Sequence, residues 1–294
     1  MGMETFYLRN PAASVVADAS RVIAVRPDGS TAHFDKHVIE TCALLAFLRS
    51  AESLAGIVKG AGIQKTVLDA ILPALVEQQV VLAGPPQLIK KVIPVLKPSK
   101  ERVCKRLVLG ISGTIQAANF LGFARDLNDT FAETVEVVLT DAAAKFLRPE
   151  AVSYVGLRVW TDPFQASAEI NVPHVWLAHH ADMVLVAPAS AHTIHRMATG
   201  ACNDLLSLVT AATEAPVVVA PAMNSTMLNH PSVKRNIECL RRDGVYVLEP
   251  GLGIEISSTS DRSAEFCGIG IRPDTIVPLL RAVLGKRRSP AKSG

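Results

Sequence analysis

Two stretches of the chain place polar side chains directly after short apolar runs. The stretches are PASAHTIHRMATGACNDLL, from Pro188 to Leu206, and PAMNSTMLNHP, from Pro221 to Pro231. An apolar run that leads into a small-residue turn is typical of a buried strand in a parallel sheet. Such sheets bind ligands in the crevice outside the carboxyl ends of their strands. The side chains of Ser190, His192 and Asn224 are therefore candidates for ligand binding and proton transfer.

A turn that is suited to a phosphate group lies further upstream. The apolar run Arg106–Ile111, which contains Gly110, leads into Ser112-Gly113-Thr114 and then into a helical run, 115–127. Glycine permits a close approach of the backbone, hydroxyls hydrogen-bond phosphate oxygens, and the N–H groups at a helix start favour an anion. The same features also occur in strand-to-helix turns that bind nothing.

A second turn of this kind follows the apolar run 135–139. Thr140 stands there before Asp141-Ala142-Ala143-Ala144. Strand, turn and helix units that begin near Arg106, Val135, Met183, Pro216 and Tyr246 predict an α/β fold with a doubly wound, mainly parallel, Rossmann-like sheet. The chain has no GxGxxG motif and no acidic residue where an adenosine ribose would need one, so a mononucleotide is favoured over NAD.

The first 86 residues predict a small α+β unit. Val22–Phe34 alternates around Pro27-Asp28-Gly29 and predicts a hairpin. Helical spacing follows in three segments, and a short strand ends the unit, which is the element order of a winged helix. The helices are expected at 38–48, 54–60 and 65–78, and the strand at 80–83. The predicted organisation is a winged-helix-like domain at 1–86, a linker at 87–105, a ligand-binding domain at 106–285 and a disordered tail at 286–294.

Composition excludes several classes of function. The chain has 294 residues, 49% of them hydrophobic, with a net charge of +3 and only 5% aromatics. These values predict a globular protein without a nucleic-acid-binding surface. No signal peptide or membrane span is apparent, so a cytoplasmic location is expected. The five cysteines form no CxxC pair, which predicts free thiols and no metal site.

The three motifs together resemble a known family. PASAHT, PAMNSTM and GISGTIQAAN are similar to motifs of the homo-oligomeric flavin-containing cysteine decarboxylases, which include phosphopantothenoylcysteine decarboxylase and the peptidyl-cysteine decarboxylases of lanthipeptide biosynthesis. The resemblance covers about residues 105–284. It implies flavin mononucleotide (FMN) as the cofactor. The residues that it implies for FMN binding are Gly110, Ser112, Gly113, Thr114, Thr140, Pro188, Ala189, Ser190, Ala191 and Met223.

The resemblance also implies a set of reactive groups. His174 occupies the position of the family's active-site histidine, and Asn224 that of its substrate-binding asparagine. His192 stands where the family has an asparagine that holds the reacting carboxylate. Cys267, in a Cys-Gly pair within the flap expected at 254–273, matches the cysteine that protonates the enethiol in the phosphopantothenoylcysteine enzymes. A neutral histidine near cellular pH is suited to proton transfer, although histidine and asparagine are also common as structural groups and helix caps.

Two further departures from the family pattern concern the motif ends. The first motif ends in Cys202-Asn203-Asp204-Leu205 instead of the usual Asp-Asn order, and Leu228 replaces a tryptophan in the second. Both change what surrounds the expected ligand.

The chemistry follows from what cysteine lacks. Its carboxylate leaves as carbon dioxide only if the developing carbanion can be delocalised, and oxidation of Cβ by a flavin would create a thiocarbonyl group β to the carboxylate. The leading hypothesis is FMN-dependent oxidative decarboxylation of the C-terminal cysteine of a ribosomally made peptide. In this hypothesis the amino-terminal domain holds the leader peptide as an added strand, and the chain forms a trimer or dodecamer. The alternatives are phosphopantothenoylcysteine decarboxylation in coenzyme A biosynthesis and a non-catalytic flavoprotein or regulatory subunit.

Overall fold

The computed structural model describes residues 5–10, 13–26, 30–48, 52–84, 102–165, 170–249, 252–254, 264–266 and 273–287. Within these ranges the strands are β1 Phe6–Arg9, β2 Ser14–Ala17, β3 Val22–Val25, β4 Thr31–Phe34, β5 Glu52–Ser53, β6 Val81–Gly84, β7 Cys104–Ile111, β8 Ala132–Leu139, β9 Arg158–Trp160, β10 Met183–Ala189, β11 Val217–Pro221, β12 Tyr246–Leu248, β13 Leu252–Ile254 and β14 Ala264–Phe266. The α-helices are α1 Val38–Phe47, α2 Leu54–Gly60, α3 Lys65–Glu77, α4 Phe120–Thr130, α5 Asp141–Ala144, α6 Pro149–Tyr154, α7 Pro173–His180, α8 Ala191–Thr199, α9 Leu205–Ala212, α10 Ser225–Asn229, α11 Pro231–Arg242 and α12 Pro273–Arg287.

A parallel six-stranded core carries the predicted fold. Its strand order is β12-β11-β10-β7-β8-β9, and every neighbouring pair is parallel. The central strands are apolar on both faces because helices cover both sides of the sheet. One face packs on α4 and α12, and the other on α7, α9 and α11. The predicted doubly wound, Rossmann-like fold is confirmed.

The predicted amino-terminal hairpin exists, but it does not belong to a separate sheet. β2 pairs antiparallel with β12, with Ala17 opposite Val247, and β3 and β4 then extend the same sheet to nine strands. The predicted winged-helix-like domain therefore differs from the structure in its hairpin, which belongs to the large sheet. The physical reason is that β3, VIAV, is buried on both faces, which suits an interior strand better than a wing.

The remaining amino-terminal elements form a helical layer beside this extension. The three predicted helices are present at α1, α2 and α3, and β6 is the predicted short strand. β6 joins β1 and β5 in a small antiparallel sheet of order β5-β1-β6. The strands β1, β2 and β5 were not predicted from the sequence pattern. The apolar faces of the three helices share one core with Val15, Ala17 and Ala24 of the large sheet.

Three segment boundaries differ from expectation. β7 begins at Cys104, within the predicted linker. β10 continues through Pro188 and Ala189, where a turn was expected, with an irregular register after Val186. α12 extends to Arg287, so the first two residues of the predicted tail are helical. Most of the linker and of the flap, including Cys267, lies outside the described residues.

A buried ion pair lies where the amino-terminal strand β2 meets the parallel core. Glu249, which is 8% exposed, forms a salt bridge with Arg241 of α11, and its backbone N–H donates to the Val15 carbonyl at 2.9 Å. Glu238 lies 3.6 Å from the same guanidinium. Burial alone would lower the pKa of Arg241, but the adjacent Glu249 carboxylate outweighs it and the pKa is raised. The guanidinium therefore stays charged where β2, β12 and α11 meet.

Replacing Arg241 tests how much this pair contributes to stability. Arg241→Met would remove the salt-bridge partner of the buried Glu249 carboxylate, and removing one member of a buried pair costs about 3–5 kcal/mol. Urea unfolding should show this loss in the free energy of unfolding. Arg242→Met, on the exposed side of the same helix, should change it by less than about 0.5 kcal/mol. Equal stabilities of the two variants would contradict the role assigned to the pair.

Candidate functional site

The carboxyl ends of β7 and β10 meet where the strand order reverses. β7 connects onward to β8 on one side, whereas β10 lies on its other side and connects to β11. The connections from these two strands diverge, which leaves a crevice at the sheet edge in which open α/β sheets bind ligands. The sequence-predicted turns at Ser112 and Ser190 are the two sides of this crevice.

The hydroxyl of Ser112 joins the two strand ends. Its Oγ donates to the Pro188 carbonyl at 2.7 Å and accepts the Ser190 backbone N–H at 2.7 Å. The Ser112 N–H also donates to the Pro188 carbonyl, at 3.1 Å. Ser112 is completely buried. Its side chain therefore holds the two sides of the crevice together, and its predicted contact with FMN stays a prediction.

Gly110 and Gly113 of the first motif are both required for close packing, but each approaches a different neighbour. A Cβ on Gly113 would lie 2.2 Å from the Ala142 Cβ, so only glycine lets the β7 turn approach the start of α5. A Cβ on Gly110 would lie 2.3 Å from Leu206 Cδ1. Gly110 thus allows α9 to pack on β7, while Gly113 keeps the crevice wall close to the second turn.

Three polar residues of the motifs are helix N-caps. The side-chain oxygens of Thr140, Ser190 and Asn224 accept the N–H of Ala143, Thr193 and Met227 at 3.2, 3.2 and 2.7 Å. These caps begin α5, α8 and α10 at the carboxyl ends of β8, β10 and β11. The cap occupies the amide oxygen of Asn224, and its amide nitrogen has no hydrogen-bond partner among the described residues. That nitrogen is the part of Asn224 able to donate to a ligand.

Two buried polar atoms at this edge lack partners in the described part of the chain. They are Thr114 Oγ1, directly after the Ser112 turn, and His174 Nδ1. His174 lies in the first turn of α7, which runs from the carboxyl edge of the sheet back toward the start of β10. A buried polar atom without a hydrogen bond is costly, so each is a candidate for contact with a bound molecule.

A buried carboxylate anchors the helix that carries His174. Glu136, in β8, is 1% exposed and accepts a hydrogen bond from Trp160 Nε1 at 2.8 Å. Arg106 and Arg158 lie 3.8 and 3.7 Å from it. Both guanidiniums also stack on Trp176 of α7, at 4.8 and 5.7 Å from its ring centre. Sequence reasoning missed this cluster, although a lone glutamate within the apolar run of β8 was a signal for it.

The other predicted site residues occupy separate positions. Ala189 accepts the Ala222 N–H at 2.9 Å, which ties the β10 end to the β11 turn that carries Met223. Ala191 and Met223 are half-buried against the core beneath α8 and α10. His192 is exposed in the first turn of α8, outside the hydrogen-bonded cluster around Ser112.

The departures at the ends of the motifs have structural explanations. Asp204 caps α9 through a capping box with Ser207 and also pairs with Arg196 of α8, so the Asn-Asp order fixes the angle between α8 and α9. Leu228 is buried, 4% exposed, and packs in the core beneath α10.

Among the described residues there is no cluster of metal-ligating side chains. No helix in the described ranges has the length and apolar character that crossing a bilayer requires.

Comparison with known proteins matches this site to one family. The model of the family described as Flavoprotein matches residues 95–267. The coenzyme A biosynthesis bifunctional protein CoaBC of Vibrio vulnificus (strain YJ016) is 41% identical over 150 residues, which are 51% of this chain and 37% of that protein. The chain thus spans little more than a third of the length of the curated relatives that it matches.

Solved structures agree with the fold. MrsD from Bacillus sp. HIL-Y85/54728 is 27% identical with a TM-score of 0.51, over 61% of this chain and 96% of its own. A PPC decarboxylase mutant complexed with pantothenoylaminoethenethiol is 26% identical with a TM-score of 0.52, over 60% and 97%. About two fifths of this chain therefore lies outside either match. The family match covers the crevice, its turns and its caps, which confirms the resemblance seen in the motifs, and the chain belongs to the flavoprotein family.

Proposed function

We propose that the chain binds FMN at the β7–β10 crevice and oxidatively decarboxylates the C-terminal cysteine of a peptide. The described residues fit a flavin nucleotide. The Gly113 turn has no side chain to obstruct a phosphate, and the Thr114 hydroxyl beside it is buried and free to bind one. The family match and the solved relatives support a flavin at this edge of the sheet.

FMN, when bound, supplies the two-electron acceptor that cysteine lacks. Thr114 and the N–H groups after it would hold the phosphate, and the small side chains at Ala189 and Ala191 would leave room for the ring. The cap hydrogen bonds of Thr140 and Ser190 fix the helix starts that surround the cofactor. The protein's own part is to orient the substrate and to move protons.

His174 is proposed to accept the thiol proton at Nδ1. That atom is buried and has no partner among the described residues, so a substrate thiol would satisfy it. The Glu136 cluster orients the imidazole indirectly because it fixes α7 through Trp176.

The substrate carboxylate is proposed to bind beside Asn224. The Asn224 amide nitrogen can donate to it, since the cap uses only the amide oxygen. His192, exposed at the start of α8, places a second donor near the same edge.

The amino-terminal extension supports a peptide substrate, and it is the observation that carries this choice. β4 forms the outer edge of the nine-stranded sheet among the described residues, so its outward backbone groups can pair with an extended peptide. An enzyme whose substrate is one small thiol needs no such edge. We assign leader-peptide binding to this edge, and Cys267 of the flap stays a candidate proton donor.

A second candidate is decarboxylation of phosphopantothenoylcysteine. The 41% identity with CoaBC favours it, because that value exceeds the identities to the solved relatives described above. Both candidates use the same crevice and differ in the group attached to the cysteine nitrogen.

A homo-oligomer, either a trimer or a dodecamer assembled from trimers, is proposed as the working form. Several large apolar side chains are exposed near the carboxyl edge of β7, β8 and β9, where His174 also lies, and contact with a second copy would bury them. They are Ile115, Phe146, Phe164, Val172 and Val175.

Removing the Thr114 hydroxyl tests the cofactor site. Thr114→Val should raise the FMN dissociation constant about 5- to 30-fold, because a buried hydrogen bond to phosphate is worth roughly 1–2 kcal/mol. Titration of apoprotein by flavin fluorescence measures this change. Thr130→Val, at the opposite edge of the sheet, is the control and should bind FMN normally. Unchanged affinity in Thr114→Val would refute the phosphate contact.

Removing the His174 imidazole tests the proton-transfer role. His174→Ala should lower kcat by about 10²–10⁴-fold, which is the range for loss of a general acid or base. The variant should still bind FMN and remain yellow. His179→Ala, on the exposed side of the same helix, should retain activity. Normal turnover by His174→Ala would exclude the assignment.

Mass spectrometry of candidate substrates tests the reaction itself. A cysteine-ending peptide should lose about 46 Da, which is carbon dioxide plus two hydrogens. Loss of about 44 Da from phosphopantothenoylcysteine, with no change in peptides, would favour the second candidate instead. No change in either substrate, in protein that is loaded with FMN, would support a non-catalytic flavoprotein.

A further inference from the structure

A ligand-sized cavity lies between the amino-terminal helical layer and the parallel core. Its volume is about 740 Å³. α1 forms one wall, α10 and α11 form the other, and the ends of β11 and β12 form the floor. In the strand order the cavity lies at β11 and β12, whereas the crevice lies between β10 and β7.

The walls of the cavity are mainly apolar. α1 presents Ile39, Cys42, Ala43, Ala46 and Phe47 to it, at the spacing that places residues on one face of a helix. Such a face normally packs against a core, yet Ile39 is 68% exposed. Burial raises the pKa of the Cys42 thiol to about 12, with a further increase from Glu249, so this side chain is a protonated, apolar part of the wall.

The opposite wall and the floor continue this surface. Leu228, Ile237, Val247 and Leu248 contribute their apolar side chains. Protein interiors contain few voids larger than a water molecule. Ligand pockets typically have volumes of roughly 300–1,000 Å³, apolar walls and a few polar groups, and they often form where two structural units meet. The cavity matches that description.

The charges at the cavity favour an anion. Its two carboxylates, Glu238 and Glu249, are both paired with Arg241. Lys234 and Arg235 also line the cavity, are exposed, and form no salt bridge within the described residues. Arg241 Nε is buried without a hydrogen-bond acceptor in the described part of the chain. The lining thus holds three cations and two carboxylates, a formal net charge of +1, and one unused donor beside an apolar space.

We propose that this cavity is a binding site for a small amphipathic anion, an acid with an apolar acyl or aryl body. The apolar body would lie along the α1 face, and the carboxylate would bind Lys234 and Arg235. Leu228 and Asn229 in its wall belong to α10, the helix that Asn224 caps. A ligand here would thus contact the back of the loop that carries a substrate-binding residue. The site is additional to the decarboxylation proposed above and does not depend on it.

Binding of a defined amphipathic anion tests the proposal. The probe is 8-anilinonaphthalene-1-sulfonate, an aromatic body with one anionic group, titrated calorimetrically into the full chain. Lys234→Glu/Arg235→Glu should weaken its binding at least about tenfold, a change equivalent to roughly 1.4 kcal/mol. Arg242→Glu, an exposed residue of the same helix outside the cavity, should leave the affinity unchanged within about twofold.

A neutral probe and a filled cavity separate the apolar and charged contributions. N-phenyl-1-naphthylamine, which has the aromatic body without the sulfonate, should bind the wild type and the Lys234→Glu/Arg235→Glu variant equally. Ala46→Phe should prevent binding of both probes because the new ring occupies the cavity. Decanoate should displace the anionic probe at lower concentration than decanol does.

Circular dichroism and FMN titration verify that each variant is folded. The proposal is overturned if the wild type binds neither probe, or if folded Ala46→Phe binds both. It is also overturned if reversal of the two charges leaves the affinity for the anionic probe unchanged, since binding would then occur elsewhere or without regard to charge. Because no readout is turnover, these outcomes are independent of whether the protein decarboxylates cysteine.

Discussion

The site depends on the bond network that one serine hydroxyl makes across the sheet. Ser112 Oγ connects the Pro188 carbonyl and the Ser190 N–H at the point where the strand order reverses. Without the hydroxyl, only the Ser112 backbone N–H would still bond the Pro188 carbonyl, and the Ser190 N–H would lose its acceptor. With its bonds, the Gly113 turn, the Ser190 cap and the unpartnered Thr114 hydroxyl have fixed relative positions. These bonds set the shape of the crevice without the help of a ligand.

The strand-end motifs were predictable because each combines an apolar run with turn and cap chemistry that acts locally. Ser190 and Asn224 cap helices whose starts are visible in the sequence. The role of Ser112 was not predictable in the same way. A Ser-Gly turn indicates a phosphate loop, and only the adjacency of β7 and β10, which are far apart in the chain, shows that the hydroxyl is used within the protein. The same limit applies to Glu136, whose partners lie on two other strands, β7 and β9.

The amino-terminal region shows a different limit of sequence reasoning. Helical spacing located α1, α2 and α3 almost to the residue, since that signal is contained in one segment. The pairing of β2 with β12 depends on a segment at the other end of the chain, and short strands such as SVVA carry no signal of their partner. The continuous apolar run VIAV was the available clue that the hairpin lies inside a larger sheet. The cavity beside α1 lies where the amino-terminal helical layer meets the parallel core, to which β2, β3 and β4 add three strands.

The pairing of β2 with β12 also constrains the order in which the protein is assembled. Arg9 and Glu249, which are in contact, are 240 residues apart in sequence. During synthesis β2 leaves the ribosome before β7 to β11, but its neighbour β12 is made only after them. Contacts of such long range slow folding and leave strand edges open in the meantime. The nascent chain must therefore keep these edges from pairing with other molecules until β12 has been made.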